Sequence, residues 1–106
     1  MDQATVQRLV DAELASAEAF SNLHGITSEN IREFLIEPVH ATVSVWGQEP
    51  GPREMWLVLQ EEEGLNGYLV AFDPAWTAWG LVMRSDDKFT LVSGVTDTFI
   101  DAVVGM

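Results

Sequence analysis

Acid–base, metal and nucleophilic chemistry each need particular residue types at particular spacings, and this chain offers few of them. It has no cysteine, which removes disulfides, thiolate metal sites and cysteine nucleophiles. Its two histidines, His24 and His40, form no H-x-x-x-H pair; one falls between two expected helices and the other on the polar side of an expected strand. A loop histidine and a surface histidine are expected, not a zinc pair. The acidic clusters Asp86-Asp87 and Glu61-Glu62-Glu63 lack the alternating oxygen ligands and the glycine of a calcium loop. Neither G-x-x-x-x-G-K nor G-x-G-x-x-G occurs, and the only lysine is Lys88, which argues against a triphosphate clamp. There is no G-x-S-x-G elbow, and Ser93 beside Gly94 has no assignable base. Asp73 is the one acid embedded between apolar strands, and the Asp73-Pro74 turn already accounts for it. The expectation is a protein with no catalytic set, no metal and no cofactor.

The aromatic residues remain. The stretch GYLVAFDPAWTAWGLVMR places Tyr68, Phe72, Trp76 and Trp79 close together, and the chain has four tryptophans. Strand alternation puts Trp46 on the side of His40, Thr42 and Ser44; Trp56 on the side of Val58; and Trp79 on the side of Leu81 and Met83. If helices cover one sheet face, the other carries tryptophans with nothing over them, as at a partner or ligand surface. Trp46, Trp56, Trp79, Tyr68 and His40 are therefore the candidate binding residues. The competing expectation is that helices cover both faces, or that the sheet curls around its own aromatics.

The elements that would position these residues follow from periodicity. Val6, Leu9, Val10, Leu14 and Ala17 recur at helical spacing and predict a helix from about Asp2 to Ser21, with Gly25 suited to its exit. Thr27 as N-cap, the Ile26–Ile31 staple and Pro38 predict a second helix ending by Glu37. The period then changes to two. In PVHATVSVWG, Val39, Ala41, Val43 and Val45 oppose His40, Thr42, Ser44 and Trp46; the GQEPGP loop, residues 47–52, follows. Further strands are predicted at EMWLVLQ, YLVAF, TAWGLVMR and KFTLV. Such short connections join antiparallel neighbours. Thr96 or Asp97 would cap a terminal helix whose apolar face is Phe99, Ile100, Val103 and Val104. The expected fold is α+β: two N-terminal helices, a five-stranded antiparallel meander and a C-terminal helix, in one domain over residues 1–106.

Composition bounds the partners. Seventeen acids against five Lys and Arg give a net charge of −12, which repels phosphate backbones and anionic lipid. No nucleic-acid or membrane partner is expected. The charge serves solubility, or else it complements a basic protein. The N-terminal residues carry acids early and lack an unbroken apolar core, so no secretory leader is expected. No apolar run approaches the roughly 20 residues that span a bilayer. A cytoplasmic location is the expectation.

From Gly67 onward, GYLVAFDPAWTAWGLVMR followed by GVTDTFIDAVVGM resembles the ends of a family of small bacterial proteins of unknown function. In these a Phe-Gly or Trp-Gly strand precedes a helix containing Thr-Phe. The resemblance covers about the last forty residues and rests on motifs of packing. It implies an α+β fold and a bacterial origin, and no activity. A looser similarity is to acidic, tryptophan-containing immunity proteins, as an analogy of fold and charge only.

Three functions are in view. The first is a non-enzymatic binding protein that engages a basic protein, or a second copy as a homodimer, through the aromatic sheet face. The second is a small-ligand pocket between sheet and helices, with His40, Asp73 or Tyr68 converging on it. The third, a nucleic-acid mimic, requires a regular row of carboxylates that the dispersed acids do not supply.

Overall fold

The computed structural model describes residues 1–45 and 51–106. Trp46 and residues 47–50 of the expected GQEPGP loop lie outside the described residues. The element order is α1 (Gln3–Ser16), a single 3-10 turn (Ile31–Glu33), β1 (Leu35–Val45), β2 (Arg53–Glu62), β3 (Asn66–Asp73), β4 (Ala78–Ser85), β5 (Lys88–Leu91) and α2 (Phe99–Val104).

Asp2 starts α1 by accepting the Thr5 N–H at 2.8 Å, and that bond holds its carboxyl below the usual carboxylate range. Val6 and Val10 are buried and Leu14 packs partly, whereas Leu9 is exposed, so the apolar stripe is narrower than its spacing suggested. The helix stops short of the expected Ser21. At Ser16 the hydroxyl turns back onto the Ala12 and Glu13 carbonyls, and Ala17 is extended.

The expected second helix does not form. Asn30 takes the Thr27 N–H with its side-chain oxygen and donates to the Gly25 carbonyl, closing a turn where a helical ladder would begin. The Phe34 carbonyl is then taken by the Gln60 N–H across the sheet. Pro38 disfavours helix at Glu37, and the available stretch is too short to hold a helix by itself. Leu35 to Glu37 therefore belong to β1, and Pro38 sits where the β1–β2 register shifts, between Leu35 and Val39.

The expected meander is also corrected: the sheet is a closed barrel in the order β1-β2-β3-β4-β5. Each consecutive pair is antiparallel, and β1 closes onto β5 in parallel, with Val43, Ser44 and Val45 opposite Phe89, Thr90 and Leu91. Five strands that alternate in direction begin and end pointing the same way, so a closing seam has to be parallel. Loop length governs consecutive strands only and does not speak to this seam. Register shifts in β1–β2 and twice in β2–β3 add the coiling that closure needs.

Closure separates two apolar layers. Inside lie Ala41, Val43, Met55, Leu57, Leu69, Ala71, Val82 and Leu91. Small and large residues alternate there, as a narrow barrel requires. Gly80 faces Leu91 so closely that a Cβ would stand 2.6 Å from Leu91 Cδ1. The outer layer joins Val58, Leu59, Val70, Phe72, Trp79 and Leu81 to Val6, Val10, Ile26, Ile31, Phe99, Ala102 and Val103. Each fully buried aliphatic or phenyl side chain contributes about 1.5–3 kcal/mol. The shift between Leu57 and Leu59 moves Leu59 from the inner side, where plain alternation placed it, to the outer layer.

Helix α1 packs on β1 and β2, and α2 on β3 and β4. The cap of α2 is Thr98, whose hydroxyl accepts the Asp101 N–H; Thr96, an expected cap, instead exchanges backbone bonds with Trp79 at 2.7 and 2.9 Å. Glu13 of α1 accepts the N–H groups of Phe99 and Ile100, at 2.9 and 3.1 Å, which ties the start of α2 to α1. Asn22 donates to the Val103 carbonyl and holds the other end.

Candidate functional site

The candidate residues fall into separate places. Trp79 is 3% exposed, wedged between Phe72 (ring centroids 4.6 Å apart) and Phe99 (5.3 Å) beneath α2. It is a core residue. Trp46 lies outside the described residues. Tyr68 is half-buried on β3, edge-on to His24 at 5.2 Å. Between them Glu61 accepts the Tyr68 N–H at 3.0 Å and pairs with His24 Nδ1. The Tyr68 N–H, and then His24, hold the Glu61 carboxyl below the usual range against the opposing effect of burial.

His40 and Trp56 do meet. They are directly opposed on β1 and β2, with ring centroids 5.2 Å apart in a T-shaped arrangement. Two pairs further along, on the same face, Thr42 opposes Glu54 and donates to it at 2.9 Å, while His40 Nε2 lies 3.2 Å from the other Glu54 oxygen. His40, Thr42 and Ser44 are exposed, whereas Trp56 is half-buried and packs against the outer apolar layer. The result is a wall of aromatic edge and carboxylate on β1 and β2.

The barrel end carries a further cluster. Counting by twos from the interior residues Leu57 and Met55 leads to Arg53, and from Leu69 and Ala71 to Asp73. Both side chains converge at one mouth. Asp73 is 1% exposed; Oδ1 accepts the Ala75 N–H at 2.9 Å, whereas Oδ2 has no hydrogen-bond partner among the described residues. Arg53 Nη1 stands 3.6 Å from that oxygen, within ion-pair range but beyond a hydrogen bond. The guanidinium lies 3.8 Å over the indole of Trp76, which is 60% exposed. A cavity of about 220 Å³ opens beside it, lined by Val45, Arg53, Trp76, Leu91, Ser93, Gly94 and Val95.

In the sequence Asp73 is a candidate only for a pocket and Trp76 only a member of the aromatic stretch, and nothing local marks Arg53. Its inward parity was the available signal, and it carries meaning only once the sheet is known to close. Among the described residues His40, Tyr68 and Asp73 have different partners and do not converge on one cavity. Among the described residues no group of three or more His, Cys, Asp or Glu could hold a metal ion. No described helix is long and apolar enough to cross a membrane. Comparison with models of known families, with curated proteins and with solved structures gives no match.

Proposed function

We propose that this is a non-enzymatic binding module of the cytoplasm that docks a basic protein on the outer wall of β1 and β2. The observation that carries the reading is the His40–Trp56 pair beside Glu54, with His40 and Glu54 exposed and Trp56 half-buried, on a chain whose net charge is −12. An aromatic anchor bordered by carboxylates is the division of labour found at interfaces, with apolar area in the middle and charge at the rim. The overall charge steers a cationic partner toward the wall and repels nucleic acid and anionic membranes. Trp79 takes no part, since it is committed to the core.

The test is an NMR titration with a synthetic Lys- and Arg-rich peptide carrying leucine anchors. Shifts confined to His40, Thr42, Glu54 and Trp56, weakened by salt and lost in Trp56→Ala, support the proposal. Shifts spread over all acidic surfaces would reduce it to general charge attraction. Sedimentation that shows a stable dimer buried on this wall would replace the basic partner with a second copy of the chain.

A further inference from the structure

We infer that the barrel mouth is a binding site for a small monocarboxylate, held by Arg53 and received along Val45, Leu91 and Val95. The inference is independent of the outer wall. A guanidinium is fixed there from two sides: the Trp76 ring covers one face at 3.8 Å, and the buried Asp73 carboxylate stands at 3.6 Å from Nη1. Stacking engages the face of the guanidinium and leaves its donors pointing along the plane, the direction in which it grips a carboxylate with two parallel bonds.

Asp73 alone does not exhaust those donors. Its Oδ2 lies beyond hydrogen-bond distance, so the pair orients Arg53 without saturating it. Fixing the side chain beforehand lowers the entropy that a ligand would otherwise have to overcome.

The lining sets the ligand class. Val45, Leu91 and Val95 are apolar. The Ser93 hydroxyl is already engaged, accepting the Leu81 N–H at 3.1 Å and donating to the Gly94 carbonyl at 2.8 Å. One cation against apolar walls suits one negative charge with a hydrocarbon body. A phosphate dianion would bring a second charge toward Asp73 with no second cation among the described lining residues. An ammonium would be repelled by Arg53. The volume of about 220 Å³ lies below the roughly 300 Å³ where drug-sized sites begin, which points to an acid of benzoate size.

The experiment is a titration of the full chain with benzoate, followed by ¹H–¹⁵N NMR including the Arg53 Nε and Trp76 indole N–H signals. Benzyl alcohol, benzylamine and inorganic phosphate serve as comparison ligands. The expected result is saturable shifts at Arg53, Trp76, Gly94 and Val95 with benzoate, and binding of the alcohol at least about tenfold weaker, the factor that one charge-assisted bond of about 1.4 kcal/mol supplies. Arg53→Lys, which keeps the charge and loses the fork, weakens benzoate severalfold. Val95→Asp, at a position 38% exposed and with its fold checked by amide dispersion, abolishes binding by placing a carboxylate in the cavity. The inference is overturned if benzoate causes no saturable shift at millimolar concentration. It is equally overturned if phosphate or benzylamine shifts the same signals as strongly, or if Val95→Asp binds benzoate unchanged.

Discussion

Removing the Glu13 carboxylate tests how α2 is held. Its two oxygens accept the N–H groups of Phe99 and Ile100, donors that have no partner within so short a helix. Hydrogen bonds to a charged group contribute about 1.5–3 kcal/mol each, and this half-buried carboxylate is partly screened by water, so Glu13→Ala should cost about 2–3 kcal/mol in all. At about 4 °C per kcal/mol for a domain of this size, Tm falls by about 8–12 °C. Glu13→Gln keeps one acceptor oxygen and should lose about half as much. The loss is local before it is global. Helix α2 carries Phe99, Ala102 and Val103 over Trp79, so hydrogen exchange at the amides of Ala102 and Val103 should quicken by at least the same free energy. Urea unfolding gives the global figure and native-state exchange the local one. The reasoning is refuted if Glu13→Ala costs under about 0.5 kcal/mol with the Ala102 and Val103 protection unchanged, the range of an ordinary surface substitution. It is also refuted if the Gln variant is no better than the Ala variant.

Gly67 has φ +68°, and a Cβ there would stand 2.6 Å from Glu61 Oε1; Gly67→Ala should cost more than the roughly 1–2 kcal/mol of a left-handed backbone alone and should move the Tyr68 amide signal, whereas Gly94→Ala, with nothing within 4 Å, stays within about 0.5 kcal/mol in the same urea titration. Glu61 has a folded pKa below its unfolded one, so its stabilisation is complete above the ordinary glutamate pKa of about 4.3 and disappears as pH falls through the lower folded value; Glu61→Gln should flatten the acid limb of a stability-versus-pH curve there. Arg53→Met leaves the Asp73 carboxylate buried without its cation and should destabilise by about 3–5 kcal/mol, much of it recovered in the double variant with Asp73→Asn, as chemical denaturation would show. Trp79→Leu removes an aromatic held between Phe72 and Phe99 and should cost about 2–4 kcal/mol without altering peptide binding at His40 and Trp56, a separation that rules out a shared site.

The first strand was legible from its period of two and the other four from short apolar runs between turn residues, and Ala41, Val43, Met55 and Leu57 lie inside as alternation requires. Closure was not legible, since nothing local marks a seam between the first strand and the last. That gap had consequences for individual residues. Leu59 changed layers because a register shift is a property of two strands together. Trp79 became core because α2 covers it, and Asp73 gained Arg53 because inward-facing positions at one end of a barrel converge. The missing helix at Thr27–Glu37 was decided by Asn30, whose side chain satisfies the turn, against a Thr cap and a staple that pointed the other way. Val39, expected inside, is 44% exposed because it follows the shift at Pro38.

The parallel seam also sets an order of events in time. Hairpins β1–β2 through β4–β5 join neighbours along the chain, while Val43 must wait for Phe89 before it gains its second partner. During synthesis the free edge of β1 stays unpaired until β5 has left the ribosome, and an unpaired apolar edge is where chains join one another. Nascent copies each carrying an excess of negative charge repel one another during that interval. The acidity useful to the finished protein would thus already act on the unfinished one, and neutralising surface acids should lower the soluble yield of expression before it alters the stability of the folded barrel.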